Sequence, residues 1–473
     1  MAHIRIARHY IHTPIVLMSV SEFVLIVCAA YFGYWLRFGV VPGIEYLIPG
    51  VTFGLFLVIC MIAMGVYEAR IREGYAAMML RTGVAIFLLG SVATAVLSYA
   101  LPGMAIGRGV LLLSGVAAFV FVAIWRWLMS GVLTEESLKR RVLVLGTGHR
   151  ASKIASRMRR RSDQRAFQLV GFLELAGHPG ANEVAQFGAN VLHTDLPLDE
   201  FCRERDVQEV VVAMDERRRN QDASGGIPLD ELMECRLSGI NVCDVQQFIE
   251  REAGKIDVDL LRPSWMVFSD GFITTSWRAF TKRTFDLLAS SFLLLLAWPF
   301  MLLTALFVWI EGRFRDPIFY KQERVGLDGK PFRVIKFRSM RTDAEKDGKA
   351  VWASQNDPRI TRVGAFIRKT RLDELPQLLN VFRGDMSFVG PRPERPVFVE
   401  ELNGKLPYYA QRHRVKPGIT GWAQLCYPYG ASVDDAKEKL QYDLYYLKNN
   451  SLLLDLIILL QTVEVVLVGD GAR

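Results

Sequence analysis

The chain has 473 residues, 51% of them hydrophobic and 22% charged, with 57 Lys and Arg against 49 Asp and Glu for a net charge of +8. Its apolar residues gather in long uncharged runs, which excludes a soluble globular enzyme, a disordered chain and a disulfide-stapled secreted domain. In a chain with such runs the positive charge suits anionic headgroups and phosphates, and no nucleic-acid partner is expected.

Four runs in the first 134 residues are long enough to cross a bilayer core of about 30 Å as helices. They are Ile15 to Leu36, charged only at Glu22, then Tyr46 to Tyr67, Thr82 to Gly107 and Gly109 to Trp125, all without charge. Arg5 and Arg8 precede the first run, Arg70, Arg72 and Arg81 lie around the link between the second and third, and Arg126, Lys139, Arg140 and Arg141 follow the fourth. The opposite loops hold only Arg37 and Arg108. Basic loops stay in the cytoplasm, so four spans begin and end there and everything after about residue 135 is expected on that side. The first run is too long for a cleavable signal, and a second span follows it closely. The cysteines at 28, 60, 202, 235, 243 and 426 form no C-x-x-C pair and fit a reducing compartment.

From Lys139 to about Pro263, short apolar runs at Val142 to Leu145, Leu169 to Leu173 and Val210 to Ala213 alternate with polar helical stretches, predicting a Rossmann-like α/β domain. Gly146-Thr147-Gly148-His149-Arg150-Ala151 follows the first strand in the G-x-G-x-x-A pattern of a dinucleotide turn. Glu174 stands where a ribose-binding acid would be. Such turns also occur in Rossmann-like domains that bind nothing, and no Tyr-x-x-x-Lys pair accompanies this one, so the turn is expected to be structural or regulatory.

A fifth apolar run, Leu287 to Ile310, is flanked by Lys282 and Arg283 before it and by Arg313, Arg315, Lys321 and Arg324 after it. Crossing the membrane would put one basic flank on the wrong side. Pro299, at its middle, removes a backbone hydrogen bond and clashes with the preceding turn. A re-entrant hairpin is the expectation, with a proline-kinked spanning helix as the alternative.

Between Arg313 and Arg341 nine Lys or Arg residues face three acids, a composition that by itself describes a face lying on anionic lipid. After the turn Asp328-Gly329-Lys330, the run Phe332 to Met340 alternates as a strand, so Lys336 and Arg338 project from one face as a pair of cations suited to a diphosphate. Next, Arg368-Lys369-Thr370-Arg371-Leu372-Asp373-Glu374-Leu375-Pro376 sets two carboxylates at a helix start marked by Pro376. That is ordinary helix capping, unless Arg368, Arg371 and the helix keep the carboxylates ionised as a nucleophile or as Mg²⁺ ligands. Gly390-Pro391-Arg392-Pro393-Glu394 fixes an arginine between two prolines. Lys416 to Gln424, a glycine-punctuated turn, is expected to offer backbone N–H groups and the Trp422 face.

With those motifs in order, the run from about Lys282 to the end resembles the bacterial sugar transferase domain of the monotopic phosphoglycosyl transferases. The four preceding spans and the Rossmann-like domain resemble its large polyprenyl-phosphate hexose-1-phosphate transferase subgroup, by architecture more than by motif. The resemblance implies transfer of a sugar 1-phosphate from a UDP-sugar to polyprenyl (undecaprenyl) phosphate with release of UMP, the first membrane step of exopolysaccharide or O-antigen assembly. It implies Asp373 as the covalent nucleophile, Glu374 as its partner in placing Mg²⁺ and phosphate, and Arg368, Arg392, Lys336 and, less directly, Asp443 as substrate-site residues. It places the chain in the bacterial inner (cytoplasmic) membrane with the catalytic domain on the cytoplasmic face, and leaves room for a homodimer. Where smaller relatives carry Ser-Pro at the bend, this chain has Trp298-Pro299.

The expected architecture is four transmembrane helices over 1–134, a Rossmann-like domain over 135–265, a linker over 266–280 and an α/β catalytic domain over 281–473 with a re-entrant helix at 284–311. Rival readings are a membrane-anchored nucleotide-sugar dehydratase or epimerase, which predicts a Tyr-Lys pair near Gly146, and a non-catalytic export scaffold, in which Asp373 and Glu374 are dispensable. A processive glycosyl transferase would have to use Asp257-Val258-Asp259 as its metal motif.

Overall fold

The computed structural model describes residues 3–6, 9–67, 75–100, 106–132, 139–158, 167–175, 181–215, 227–269, 271–272, 275–342, 359–427, 430 and 432–468. Arg8, Arg70 and Arg72, which entered the charge argument, lie outside them. The chain divides into two compact units, one running to Gly254 and the other beginning at Lys255. The change of unit falls inside the 135–265 stretch read from sequence as the middle domain. Ile256, Val258 and Leu261 find their apolar partners in the second unit's core, beside Leu440 and Leu444, and the Ile256 N–H donates to the Gln441 carbonyl at 3.0 Å. Part of the expected linker is helical, as Pro263–Phe268.

In the first unit, apolar helices cover Thr13–Phe38, Leu47–Ala63 and Arg108–Val132, and a third stretch runs as Tyr75–Gly83, a π-wound Val84–Gly90 and Ser91–Ala100. Segments within all four are long and apolar enough to cross a membrane. Small residues let the helices approach closely: a Cβ on Gly33 would lie 2.6 Å from the Ser114 backbone nitrogen. Glu22, the lone charge of the first run, is fully buried and held by Arg126 through Nε and Nη2 at 2.6 and 2.8 Å. Arg126 also donates to Thr82 at 2.7 Å, and the Tyr67 hydroxyl donates to Glu22 at 2.5 Å. One ionic cluster thus ties the first, third and fourth helices to the segment that follows the second. Arg126→Ala leaves the Glu22 carboxylate buried without its cation and is expected to destabilise the unit by about 3–5 kcal/mol, whereas replacing both partners by apolar residues costs far less. Thermal melts of the detergent-solubilised variants measure the difference.

Beyond residue 139 the same unit forms a five-stranded parallel sheet in the spatial order Val191–Leu192, Phe167–Leu173, Arg140–Leu145, Glu209–Val212, Asn241–Asp244. Numbered along the chain this order is 3-2-1-4-5, that of a doubly wound α/β sheet, and the central strands are rich in apolar residues because helices cover both faces.

The second unit is built on a hairpin, Phe319–Val325 antiparallel to Pro331–Phe337, and a short parallel pair, Ser387–Val389 beside Gly418–Thr420. Its central helix, Val433–Asn449, starts from a reciprocal Ser432–Asp435 capping box and buries Leu444, Tyr445 and Tyr446. The fifth apolar run belongs to one 36-residue helical element, Ser276–Glu311, with Pro299 inside it. Both ends are anchored to this unit. Near the start, Asp286 accepts from the Ser387 hydroxyl at 3.0 Å and the Phe388 N–H at 3.1 Å. Near the end, Glu311 accepts from the Val363 N–H at 3.0 Å, and Val308 packs on Phe337 and Ile367.

Candidate active site

Three pieces of chain meet around the Asp373–Glu374 pair. The hairpin strand Pro331–Phe337 supplies Lys336. The helix Arg362–Lys369, capped by the Thr361 hydroxyl accepting from Gly364, delivers Arg368 at its last turn. The chain then reverses through Arg371, whose φ of +58° is rare for a residue with a Cβ, into the short 3-10 turn Leu372–Glu374. The helix Gln377–Arg383 follows with Pro376 at its cap, one position earlier than the first-turn proline expected from sequence.

Asn380, on that helix, locks it to the strand. Its side chain accepts from the Ile335 N–H at 3.0 Å and donates to the Arg333 carbonyl at 2.8 Å, acting as a strand neighbour for backbone groups on either side of Val334. Lys336 is thereby set against Glu374, with Nζ 2.8 Å from Oε1. Arg392 reaches the same oxygen at 3.6 Å.

The two carboxylates are pushed in opposite directions. Burial would raise Glu374, but Lys336 and Arg392 outweigh it and hold the carboxyl down at about 2. Asp373 is raised above the usual carboxylate range by burial and by the neighbouring Glu374 charge, against the pull of Lys336, Arg368 and Arg371. Its Oδ1 is buried without a hydrogen-bond partner. Lys336 is lowered, first by burial and also by Arg392.

Arg392 is aimed by its backbone. Gly418 and Gly390 let two loops touch: the Gly418 N–H donates to Pro391 at 3.0 Å and the Gly390 N–H to Thr420 at 2.9 Å, and a Cβ on Gly418 would lie 2.1 Å from the Gly390 nitrogen. The Lys416 to Gln424 turn therefore braces Pro391-Arg392-Pro393, and at Gly418 its N–H is already engaged. Trp422, expected as an open aromatic face, is buried and stacked on Tyr445 at 6.1 Å.

Two residues assigned to the phosphate site from sequence have protein partners in the fold. Arg338 is committed to the end of the long helix, donating to the Val308 carbonyl at 3.0 Å and pairing with Asp316 at 3.0 Å. The strand has ended at Phe337, so alternation no longer places Arg338 beside Lys336. Asp443, buried at 2% exposure, lies 2.8 Å from Arg412, which donates to the Arg392 carbonyl at 2.9 Å and to the Tyr409 hydroxyl at 2.7 Å. Asp443 is thus linked to the Arg392 turn through Arg412 and supports it. Asn380 and Arg412 escaped the sequence reading because neither lies in a charged or glycine-rich motif pointing to the dyad. In the Asp257-Val258-Asp259 motif, Asp257 accepts from the Asp259 N–H at 2.9 Å and Asp259 pairs with Lys437 at 2.6 Å, so both acids have structural partners.

Comparison with known proteins bears on this geometry. The family described as Bacterial sugar transferase matches residues 277–469, and one described as CoA-binding domain matches residues 62–221. The UDP-glucose:undecaprenyl-phosphate glucose-1-phosphate transferase of Xanthomonas campestris pv. campestris is 30% identical over 478 residues, spanning 97% of this chain and 94% of that protein. The chain belongs to the bacterial sugar transferase family. Among its relatives, the UDP-galactose-lipid carrier transferase of Erwinia amylovora is 31% identical over 78% of this chain and 76% of its own length. The UDP-N-acetylgalactosamine-undecaprenyl-phosphate N-acetylgalactosaminephosphotransferase of Aeromonas hydrophila is 42% identical over 242 residues, 51% of this sugar transferase and 56% of the relative. This chain thus spans little more than half of the Aeromonas protein. All the dyad residues and their cations fall inside the 277–469 match.

Proposed function

We propose that this sugar transferase moves a sugar 1-phosphate from a UDP-sugar to polyprenyl phosphate and releases UMP through a covalent intermediate on Asp373. The observation that carries the reading is a buried carboxylate oxygen with no hydrogen-bond partner, beside a Lys336–Glu374–Arg392 cluster. Such an oxygen is poorly solvated and raised in basicity, as a nucleophile requires. It attacks the phosphorus that carries the sugar; the anhydride bond to UMP breaks and UMP leaves as the anion. An oxygen of the lipid phosphate then attacks the same phosphorus and expels the Asp373 carboxylate. One site thus serves a soluble donor and a lipid acceptor in turn.

Mg²⁺ fits these residues. Among the described residues no cluster of three or more metal-binding side chains occurs, but magnesium is commonly held by one or two carboxylates together with substrate phosphates. Asp373 and Glu374 are the residues that would hold it, and it would neutralise charge on the leaving phosphate. Lys336, Arg392 and Arg368 bind and orient the diphosphate, and Glu374 keeps two of those cations in place.

The site belongs at the cytoplasmic face of a bacterial inner membrane. Support for a re-entrant helix comes from Asp286 and Glu311, which tie both ends of Ser276–Glu311 to one catalytic unit. A straight helix of 36 residues would run about 54 Å at 1.5 Å per residue and leave one end across the bilayer. Single cysteines placed near Asp316 are expected to resist membrane-impermeant thiol reagents in intact cells and to react after lysis. Labelling from outside would overturn the re-entrant arrangement.

The relatives are named for different sugars, so the reading extends to UDP-hexoses as a class. Purified chain in nanodiscs with polyprenyl phosphate and a panel of UDP-hexoses is expected to release UMP with at least one donor. No UMP from any of them would reject the proposal.

A further inference from the structure

The match to a CoA-binding family and the G-x-G-x-x-A turn both raise the question of what lies at the start of the helix His149–Arg157. In dinucleotide-binding domains that helix start receives a pyrophosphate on its free N–H groups. Here another anion is in place. The His149 N–H donates to Asp215 Oδ2 at 2.7 Å and the Arg150 N–H to Oδ1 at 2.9 Å, so both oxygens of one carboxylate cap the helix. Asp215 follows the strand Glu209–Val212, which pairs in parallel with Arg140–Leu145, the strand that leads into the turn. The sheet order itself brings this acid to the turn.

Gly148 makes the approach possible, since a Cβ there would lie 2.0 Å from Asp215 Oδ2. Gly146, with φ of +112°, lets the turn pass 3.0 Å from the Ala213 carbonyl, again measured from a Cβ it lacks. In a cofactor domain such glycines admit a ligand; in this chain they admit its own neighbouring segment. Arg150 of the turn and Glu174, the expected ribose acid, also have polar neighbours. Arg150 is buried and 4.0 Å from Asp244, and Glu174 lies 3.4 Å from His193.

We propose that Asp215 is the built-in anion of this turn, so that the middle domain is closed on itself and takes neither CoA nor a dinucleotide through its pyrophosphate. A phosphate brought to the helix start would meet a carboxylate at hydrogen-bonding range and find both of these N–H donors taken. The glycine-containing turn then serves fold and assembly, and the inference is independent of the chemistry at Asp373.

Equilibrium dialysis of the full-length protein in nanodiscs, with saturating UDP present to occupy the Asp373 site, against radiolabelled coenzyme A and NAD is expected to show no saturable binding into the millimolar range. Asp215→Ala frees the two N–H groups; with the Asp373 site saturated by UDP, its melting temperature is expected to fall by roughly 2–8 °C and to recover with inorganic pyrophosphate, to which the UDP-saturated wild type is indifferent. Saturable binding of either nucleotide by the wild type overturns the proposal. So does an Asp215→Ala protein that melts like the wild type and ignores pyrophosphate. If that variant does not fold, Asp215→Asn, which keeps one acceptor oxygen, carries the same comparison, and the wild-type dialysis decides by itself.

Discussion

Asp373→Asn is expected to lower turnover by at least about 10⁴-fold, the scale on which loss of a covalent nucleophile is felt, with the fold left intact. The substitution preserves shape and replaces an oxygen anion by a neutral amide that cannot attack phosphorus. Stability is the discriminating control. Asp373 is raised above its ordinary range in the folded state, so at neutral pH its ionised form is held at some cost to stability, and that cost disappears as pH falls through the raised value. The neutral Asn should therefore melt at the same temperature as the wild type or slightly above it. With UDP-sugar alone the wild type should accumulate up to one sugar phosphate per chain, and mass spectrometry of the digest should place it on the Asp373 peptide. Turnover by Asp373→Asn, or no labelled protein under any condition, would make direct attack by the lipid phosphate the better mechanism.

What the sequence made legible follows from how local each signal is. The four apolar runs, the alternating strand with Lys336 and the Asp373–Glu374 turn depend on neighbouring residues, and the structure has helices, a strand and a turn there. The partner of Arg338 was not legible, because the strand ends one residue earlier, at Phe337, and the charge it meets, Asp316, comes from another part of the chain. The link from Asp443 through Arg412 to the Arg392 carbonyl was not legible either, because the folded core alone brings the three together. Asp215 was invisible for a similar reason: it lies 66 residues beyond His149, and the order of strands alone brings the two together. Glu22 looked like an isolated charge in an apolar run until the fourth helix supplied Arg126.

Glu374→Gln carries the second large effect, and its signature lies in pH. Glu374 holds Lys336 at 2.8 Å and draws Arg392 to 3.6 Å, so removing its charge loosens the cations that bind the diphosphate. A loss of about 10²- to 10³-fold in turnover is expected, the usual scale for one preorganised electrostatic contact. The same change acts on both neighbours with a predictable sign. The Glu374 charge helps to raise Asp373, so in the variant Asp373 ionises at lower pH and the acidic limb of the rate profile moves down. Glu374 also supports the protonated form of Lys336, which burial and Arg392 already lower; without it the ammonium is lost at lower pH, and the alkaline limb moves down as well. Burst measurements of UMP release across pH read both limbs directly. A purely structural glutamate would lower the folded fraction and leave the positions of the limbs where they are, so an unshifted profile with reduced amplitude would remove Glu374 from the chemistry.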